Sequence, residues 1–199
     1  MIKIIFKEYI ISFIFFLIIS FYLTSCTINI PDIKITGEKT ALENQILGEY
    51  KKIKEDAWMI ASERGEKNNS ILEIPADKKE IIEAIRNREF NRDDVIEFKI
   101  SGIIGEKRNG YIEIVIDKDK IKNNLDGAKI KLLDKILKEE NRDREIIMKR
   151  IYNLSFNNDE NISKNDAMLE IQISFFKMNL DESPENTFYR DKNNEWEKK

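Results

Sequence analysis

Histidine is missing from all 199 residues. Its absence removes the side chain that most often acts as a general base near neutral pH and as a metal ligand. There is one cysteine, so the chain can form neither an intramolecular disulfide nor a cysteine-based zinc site. A basic excess is missing as well. Lys and Arg number 34 against 37 Asp and Glu, for a net charge of −3. Nucleic-acid binding leaves an electrostatic footprint that this balance does not supply. No metal, nucleic acid or resident cofactor is therefore expected.

Long apolar runs are scarce too. The one prominent run, Tyr9 to Leu23, carries no charge and follows Lys3 and Lys7. As a helix it would be about 22 Å long at 1.5 Å per residue. That falls short of the roughly 30 Å hydrocarbon core of a bilayer, but it suits the apolar region of a secretory signal peptide. The rival is an uncleaved anchor continuing through Thr24–Pro31, whose Thr, Ser, Asn and Pro residues would span poorly. A lone cysteine is often a small buried hydrophobe. Cys26 is not placed for that role, coming directly after the apolar run and a small residue.

Leu23-Thr24-Ser25-Cys26 resembles the lipobox of bacterial lipoproteins. The resemblance implies that residues 1–25 are a lipoprotein signal peptide and that Cys26 is the lipidated first residue of the mature chain. It would carry a diacylglycerol on its sulfur and an acyl chain on its amine. Two or more chains anchor a protein stably where one does not. The protein would then be lipid-anchored in the cell envelope, outside the cytoplasm. Thr27 in place of Asp favours the outer membrane over the inner one under the enteric sorting rule.

Residues 26–37 read as an extended tether or an edge strand, since Thr27–Ile35 alternates apolar and polar residues around Pro31. Residues 38–199 are one domain's worth of chain. Thr40 and Glu43 have capping-box spacing, ahead of an apolar stripe at Leu42, Ile46, Tyr50 and Ile53. Gly48 either permits close packing or marks a kink. Ala57–Ala61 reads as core, with Trp58 its largest anchor. A polar loop follows over 63–70. Asp77 and Glu80 repeat the capping spacing before Ile81, Ile82, Ile85 and Phe90. Asn91 is placed to cap a short helix carrying Val95, Ile96, Phe98 and Lys99, stopped by Gly102.

Between Ile103 and Ile116 the pattern turns to β. Gly105 and Asn109-Gly110 read as turn residues, and the Asn-Gly pair signals a hairpin with strands of about six residues. The longest helical pattern runs from Asn123 to Leu154. Its charged middle, Glu139–Glu145, reads as a solvated face laced with i,i+4 pairs such as Glu140–Arg144. A last helix over 162–176 would turn Leu169, Ile173 and Phe176 inward. Phe188, Tyr189 and Trp196 flank a polar turn, as a terminal hairpin over the core or as a frayed end. The fold class expected is α+β, mostly α: four or five helices with a small β-hairpin.

Three motifs carry a resemblance. Residues 102–116, GIIGEKRNGYIEIVI, hold Gly102, Gly105, Glu106, Asn109, Gly110 and Tyr111 in a Gly-x-x-Gly-Glu…Asn-Gly-Tyr order. Asn141, Arg142 and Arg144 form an Asn…Arg motif downstream, and Trp196 with Lys198 closes near a basic end. Together they resemble the YdbL-like family of small bacterial envelope proteins, over residues 102–199. The family has no established catalytic residues, so the resemblance implies a turn or partner motif and no active site. Gly102–Tyr111 also lacks the glycine density, the Lys-Ser/Thr and the strand-to-helix order of a P-loop.

The expectation is a membrane-anchored, non-enzymatic accessory or assembly factor that binds another envelope protein. A surface-exposed adhesin or antigen and a lipid-binding periplasmic module are the alternatives. An enzyme using Glu106 or Glu140 is a third, set against charged neighbours expected to be solvated.

Overall fold

The computed structural model describes residues 40–63, 76–156 and 162–199. The signal peptide, Cys26, the 26–37 tether and most of the polar loop after Glu63 lie outside the described residues. Three helices come first: α1 (Ala41–Glu63), α2 (Ala76–Phe90) and α3 (Arg92–Ile100). A hairpin of β1 (Ile104–Glu106) and β2 (Ile112–Ile114) follows, then α4 (Lys118–Asn124), α5 (Gly127–Ser155) and α6 (Lys164–Asp181). The chain closes with β3 (Phe188–Arg190) and β4 (Trp196–Lys198). The described chain is thus α+β and mostly helical, as the sequence implied, with six helices where four or five were expected.

Local chemistry explains several boundaries. Thr40 Oγ1 accepts from the Glu43 amide at 3.1 Å, one half of a capping box. The Glu43 carboxylate pairs instead with Lys177 at 3.1 Å. α2 is described from Ala76, so Asp77 lies within the helix. Asn91 precedes α3 without a side-chain cap and donates to Glu139 at 3.0 Å. α3 ends in a Schellman motif. Gly102 takes φ +69°, its amide reaches Lys99 O, and the Ile103 amide reaches Phe98 O, with both apolar side chains in one cluster. The pattern after Asn123 is interrupted at Leu125, and Asp126 caps α5 by accepting from the Lys129 amide at 2.7 Å.

The two hairpins join into one sheet of order β2-β1-β3-β4. β1 runs parallel to β3, with Gly105 opposite Phe188 and Glu106 opposite Tyr189, and the outer pairs are antiparallel. The strands are three residues each, shorter than the expected six. Gly105 is the middle residue of β1 and not a turn residue. Its φ is not positive; it is required by close approach. A Cβ there would stand 2.6 Å from Phe188 O and 2.7 Å from the Trp196 ring. The tight turn is Lys107–Tyr111, where Gly110 at φ +82° follows a Gly110 N to Lys107 O bond. In the terminal hairpin Asn194 holds the same left-handed place at φ 64°, and Asp191 Oδ1 accepts from the Asn193 and Glu195 amides.

Apolar packing falls into two clusters. One joins Ile46 and Ile53 of α1, Ile81, Ile82 and Ile85 of α2, Ile147 and Ile151 of α5, and Ile171 and Phe175 of α6. The other joins Val95 and Phe98 of α3, Ile104 and Ile112 of the hairpin, Ile121 of α4, and Leu133 and Ile136 of α5. α5 is long enough, at about 44 Å, to serve both ends. Some expected core residues are not core. Trp58 is 46% exposed, Phe90 82% and Leu169 39%. Gly48 is exposed with nothing near its open side, so close packing does not explain it. Ile173 and Phe176 are buried as expected.

Candidate functional site

The two apolar clusters are separated by a layer of charge. α5 carries Leu133 and Ile136 into one cluster and Ile147 and Ile151 into the other. Between them, in phase with the same stripe, stand Glu140 and Arg144, 3% and 1% exposed. The expectation that Glu139–Glu145 forms a solvated face is therefore corrected. The Glu140–Arg144 pair exists, at 2.6 Å, but inside the protein.

Arg144 is the centre. Its Nη1 and Nη2 donate to the two oxygens of Glu106 at 2.7 and 2.9 Å, a bidentate pair. Nη1 also reaches Gly110 O at 3.0 Å, and Nε reaches Glu140 at 2.6 Å. Glu106, on β1 and fully buried, has a second cation in Lys99 at 2.6 Å. Lys99 Nζ also donates to Ser183 Oγ at 2.8 Å. On the other flank Glu140 accepts from Arg88 Nε at 3.0 Å. Arg88 continues to Tyr50 OH at 3.1 Å and Asn179 Oδ1 at 2.7 Å, with its guanidinium 5.3 Å over the Phe175 ring. The cluster thus takes side chains from α1, α2, α3, β1, α5, α6 and the residue pair after α6.

Burial is the largest influence on every one of these groups, and the outcome depends on how many opposite charges answer it. Burial would raise Glu106, but Arg144 and Lys99 outweigh it and hold the carboxyl at about 2. Burial likewise opposes the charge on Glu140, and Arg88 with Arg144 pull it below the usual carboxylate range. Burial opposes the charge on Arg144 and Arg88 too, and the facing carboxylates outweigh it, so both are raised. Lys99 is the exception. Burial lowers it, one carboxylate faces it closely, and the neighbouring Arg144 charge repels.

The residues singled out in the sequence converge on this layer and on the sheet beside it. Asn141 Oδ1 accepts from the Ile112 amide at 2.9 Å, while its Nδ2 donates to Ile112 O at 3.0 Å. That clasps β2 to α5. Asn109 Oδ1 accepts from the Tyr111 amide at 3.3 Å, bracing the turn, and Tyr111 packs against the larger apolar cluster. Trp196 lies over Gly105 with the Arg190 guanidinium 4.1 Å from its ring. Gly102 ends α3, its amide on Lys99 O and the Phe188 ring against its open side, and takes no part in the charge bonds. Arg142 stays apart: its side chain is 57% exposed and pairs with Asp143 at 2.8 Å.

The sequence reading missed Arg88, Lys99, Tyr50, Asn179 and Ser183. No local pattern marks them as a set, because the bonds that join Arg88 to Tyr50 and Asn179, and Lys99 to Ser183, span 38 to 91 residues of chain. Chemically, the bonded cluster holds two ionised carboxylates and three cations, and the buried Asp143 beside it pairs with Arg142. Among the described residues no group of three or more His, Cys, Asp or Glu could hold a metal ion. No described helix is long and apolar enough to cross a membrane. A pocket of ≈ 80 Å³ opens from the layer beside Arg88, Arg92, Lys99 and Ser183. A wider, largely apolar groove of ≈ 390 Å³ lies between α1, α2 and the end of α5. No occupant is assigned to it. No protein-family model matches the chain, and neither a curated protein nor a solved structure matches it.

Proposed function

We propose that the protein is a lipid-anchored envelope lipoprotein acting as a non-enzymatic accessory factor that binds another envelope component. The observation that carries the anchor is the order of residues from Lys3 to Cys26: a basic start, a charge-free apolar run, two small polar residues and the only cysteine. The non-enzymatic part is supported by the state of the carboxylates. Glu106 and Glu140 are each bound by two cations and drawn below the usual carboxylate range. A general acid near neutral pH needs a raised carboxyl pKa, the opposite shift. The pairing also commits the lone pairs that a general base would use.

The YdbL-like reading of residues 102–199 is supported by where its motifs meet. Arg144 donates to both Glu106 and Gly110 O, Asn141 clasps the same hairpin, and Trp196 covers Gly105. Three motifs dispersed along the chain thus serve one substructure.

Mass spectrometry of the mature N-terminus, from envelope fractions of the native host, tests the anchor. An acylated Cys26 is expected, and an intact Met1 would overturn the anchor. Gentle crosslinking in whole envelopes tests the accessory role. The same partner should be recovered with the wild-type chain and lost when Cys26→Ser releases it from the membrane. Only random neighbours in both samples would count against the reading.

A further inference from the structure

The bonded cluster does not balance. Arg88, Lys99 and Arg144 bring three positive charges and Glu106 and Glu140 two negative ones, while Asp143, buried beside them, is matched by its own partner Arg142. An unmatched charge inside a protein is unfavourable unless something answers it. The cost falls on Lys99, which burial lowers despite its contact with Glu106. Lys99 also lines the ≈ 80 Å³ pocket, together with Arg88, Arg92 and Ser183. A single water needs about 10–15 Å³ on this measure, so the pocket has room for a polyatomic ion.

The donors there are not used up. Among the bonds described, Lys99 engages two of its three N–H groups and Arg88 three of its five. Arg92 makes only a 3.5 Å contact, to Glu89, and its side chain is 65% exposed at the pocket's edge. Two carboxylates also line the pocket, Glu140 and Glu182. Glu140 is already held between two guanidinium groups, and Glu182 is exposed. The unanswered charge in the pocket is therefore positive.

We propose that this pocket is an oxyanion site that takes one phosphate group, free or as part of a lipid headgroup. Donors come from two helices, from the free N–H groups of Lys99, Arg88 and Arg92, while the Ser183 hydroxyl, which donates to Asn179 O at 2.6 Å, holds Lys99 in place. Cations converging from two directions suit a tetrahedral ion better than a planar carboxylate. Arg forks and a Lys point charge are the usual pair for phosphate oxygens. The bound group supplies the negative charge that the layer lacks, and Arg92 folds over its exposed side. The inference stands whether or not Cys26 is acylated.

The test is thermal unfolding of the full chain in detergent, followed by circular dichroism, with added sodium phosphate at constant ionic strength. A saturable rise in Tm is expected with phosphate, and none with chloride or acetate. Arg92→Glu, at an exposed position, should leave Tm without phosphate nearly unchanged and raise the apparent Kd at least tenfold. Lys99→Met removes the surplus cation and should abolish the response while the fold survives. Dimethyl phosphate, a diester like a lipid headgroup, distinguishes the sources. A response equal to that of inorganic phosphate assigns the site to a headgroup, and a response to inorganic phosphate alone assigns it to the free ion. No saturable phosphate response, an equal response to acetate, or an Arg92→Glu protein that binds as well as wild type would each overturn the proposal.

Discussion

Replacing Arg144 by Met isolates the role of the charge layer. Arg144 is 1% exposed and makes four bonds, to Glu106 twice, to Glu140 and to Gly110 O. Met is long, flexible and apolar, so it fills much of the vacated space and keeps the cavity cost small. What remains is electrostatic. Glu106 keeps only Lys99, Glu140 keeps only Arg88, and the Gly110 carbonyl loses its side-chain donor. Removing one member of a buried ion pair costs about 3–5 kcal/mol. Against a total stability of about 5–15 kcal/mol, that is a large fraction. Each kcal/mol moves Tm by about 2–4 °C in a domain of this size, so a fall on the order of 10 °C is expected. Urea unfolding read by circular dichroism measures it directly, since most described residues are helical. The double variant Arg144→Met/Glu106→Gln is the internal control. Because both singles break the same bidentate pair, their costs should fall short of adding, by about 1 kcal/mol or more. A single-variant cost below about 1 kcal/mol, or strict additivity, would refute the account of a dry, interlocked layer.

Three further outcomes follow from the same geometry. Asn141→Ala leaves the N–H and C=O of buried Ile112 without their partner and should cost about 1–3 kcal/mol in urea unfolding; Asn141→Asp, which keeps the acceptor and loses the donor, should fall between. Gly105→Ala should cost about 1–3 kcal/mol from overpacking, and Trp196→Ala should not rescue it, because the closest obstacle is backbone Phe188 O at 2.6 Å; full rescue would show that only the ring objects. For pH, Glu106 sits at about 2 in the fold against 4.5 when unperturbed. A lowered carboxyl contributes stability above the unperturbed value and loses it as pH falls through the folded one. Stability should therefore drop between about pH 4.5 and 2 by on the order of 3 kcal/mol from this group, with Glu140 adding in the same direction. Glu106→Gln should flatten that slope, and an unchanged slope would sink the assignment.

The longer helices and the first hairpin could be read from the sequence because the signals for them are local, while the terminal hairpin is one of two readings that its pattern leaves open. Apolar spacing marks the helices, Thr40 and Gly102 mark helix ends, and Asn-Gly marks the first turn. The burial of Glu140 and Arg144 was legible too, though in a subtler way. Leu133, Ile136, Glu140, Ile147 and Ile151 follow one another at helical spacing, with Arg144 one turn after Glu140. Two charges in phase with an apolar stripe are buried and paired, since Glu and Arg are almost never buried otherwise. Composition alone, a run of seven polar residues, pointed the wrong way. The partners were not legible. Nothing near Arg88, Lys99 or Asn179 distinguishes them from surface residues, because what selects them is the packing of α2, α3 and α6 against α5. Trp58 and Phe90 failed for the converse reason: an apolar residue on a helix is not bound to face inward.

The layer also explains why the hairpin and α5 share motifs so far apart along the chain. Apolar contacts have no direction, and a helix packed only on apolar clusters could slide or rotate at small cost. The bonds at this junction are directional. Arg144 grips Glu106 with two parallel donors and Gly110 O with a third contact, while Asn141, one turn earlier, reads both backbone groups of Ile112. Residues three apart on a helix share a face, so Asn141 and Arg144 meet the two strands of one hairpin together. A one-residue slip of β1 against β2 would exchange the faces of Glu106 and its neighbours and break both grips at once. The left-handed turn at Gly110 is part of the same arrangement, since it brings the Gly110 carbonyl to Arg144. The glycine, the glutamate, the asparagine and the arginine are thus one device for holding the register of the sheet against the longest helix. The surplus charge of Lys99 and Arg88 lies outside that device, on the side where the pocket opens.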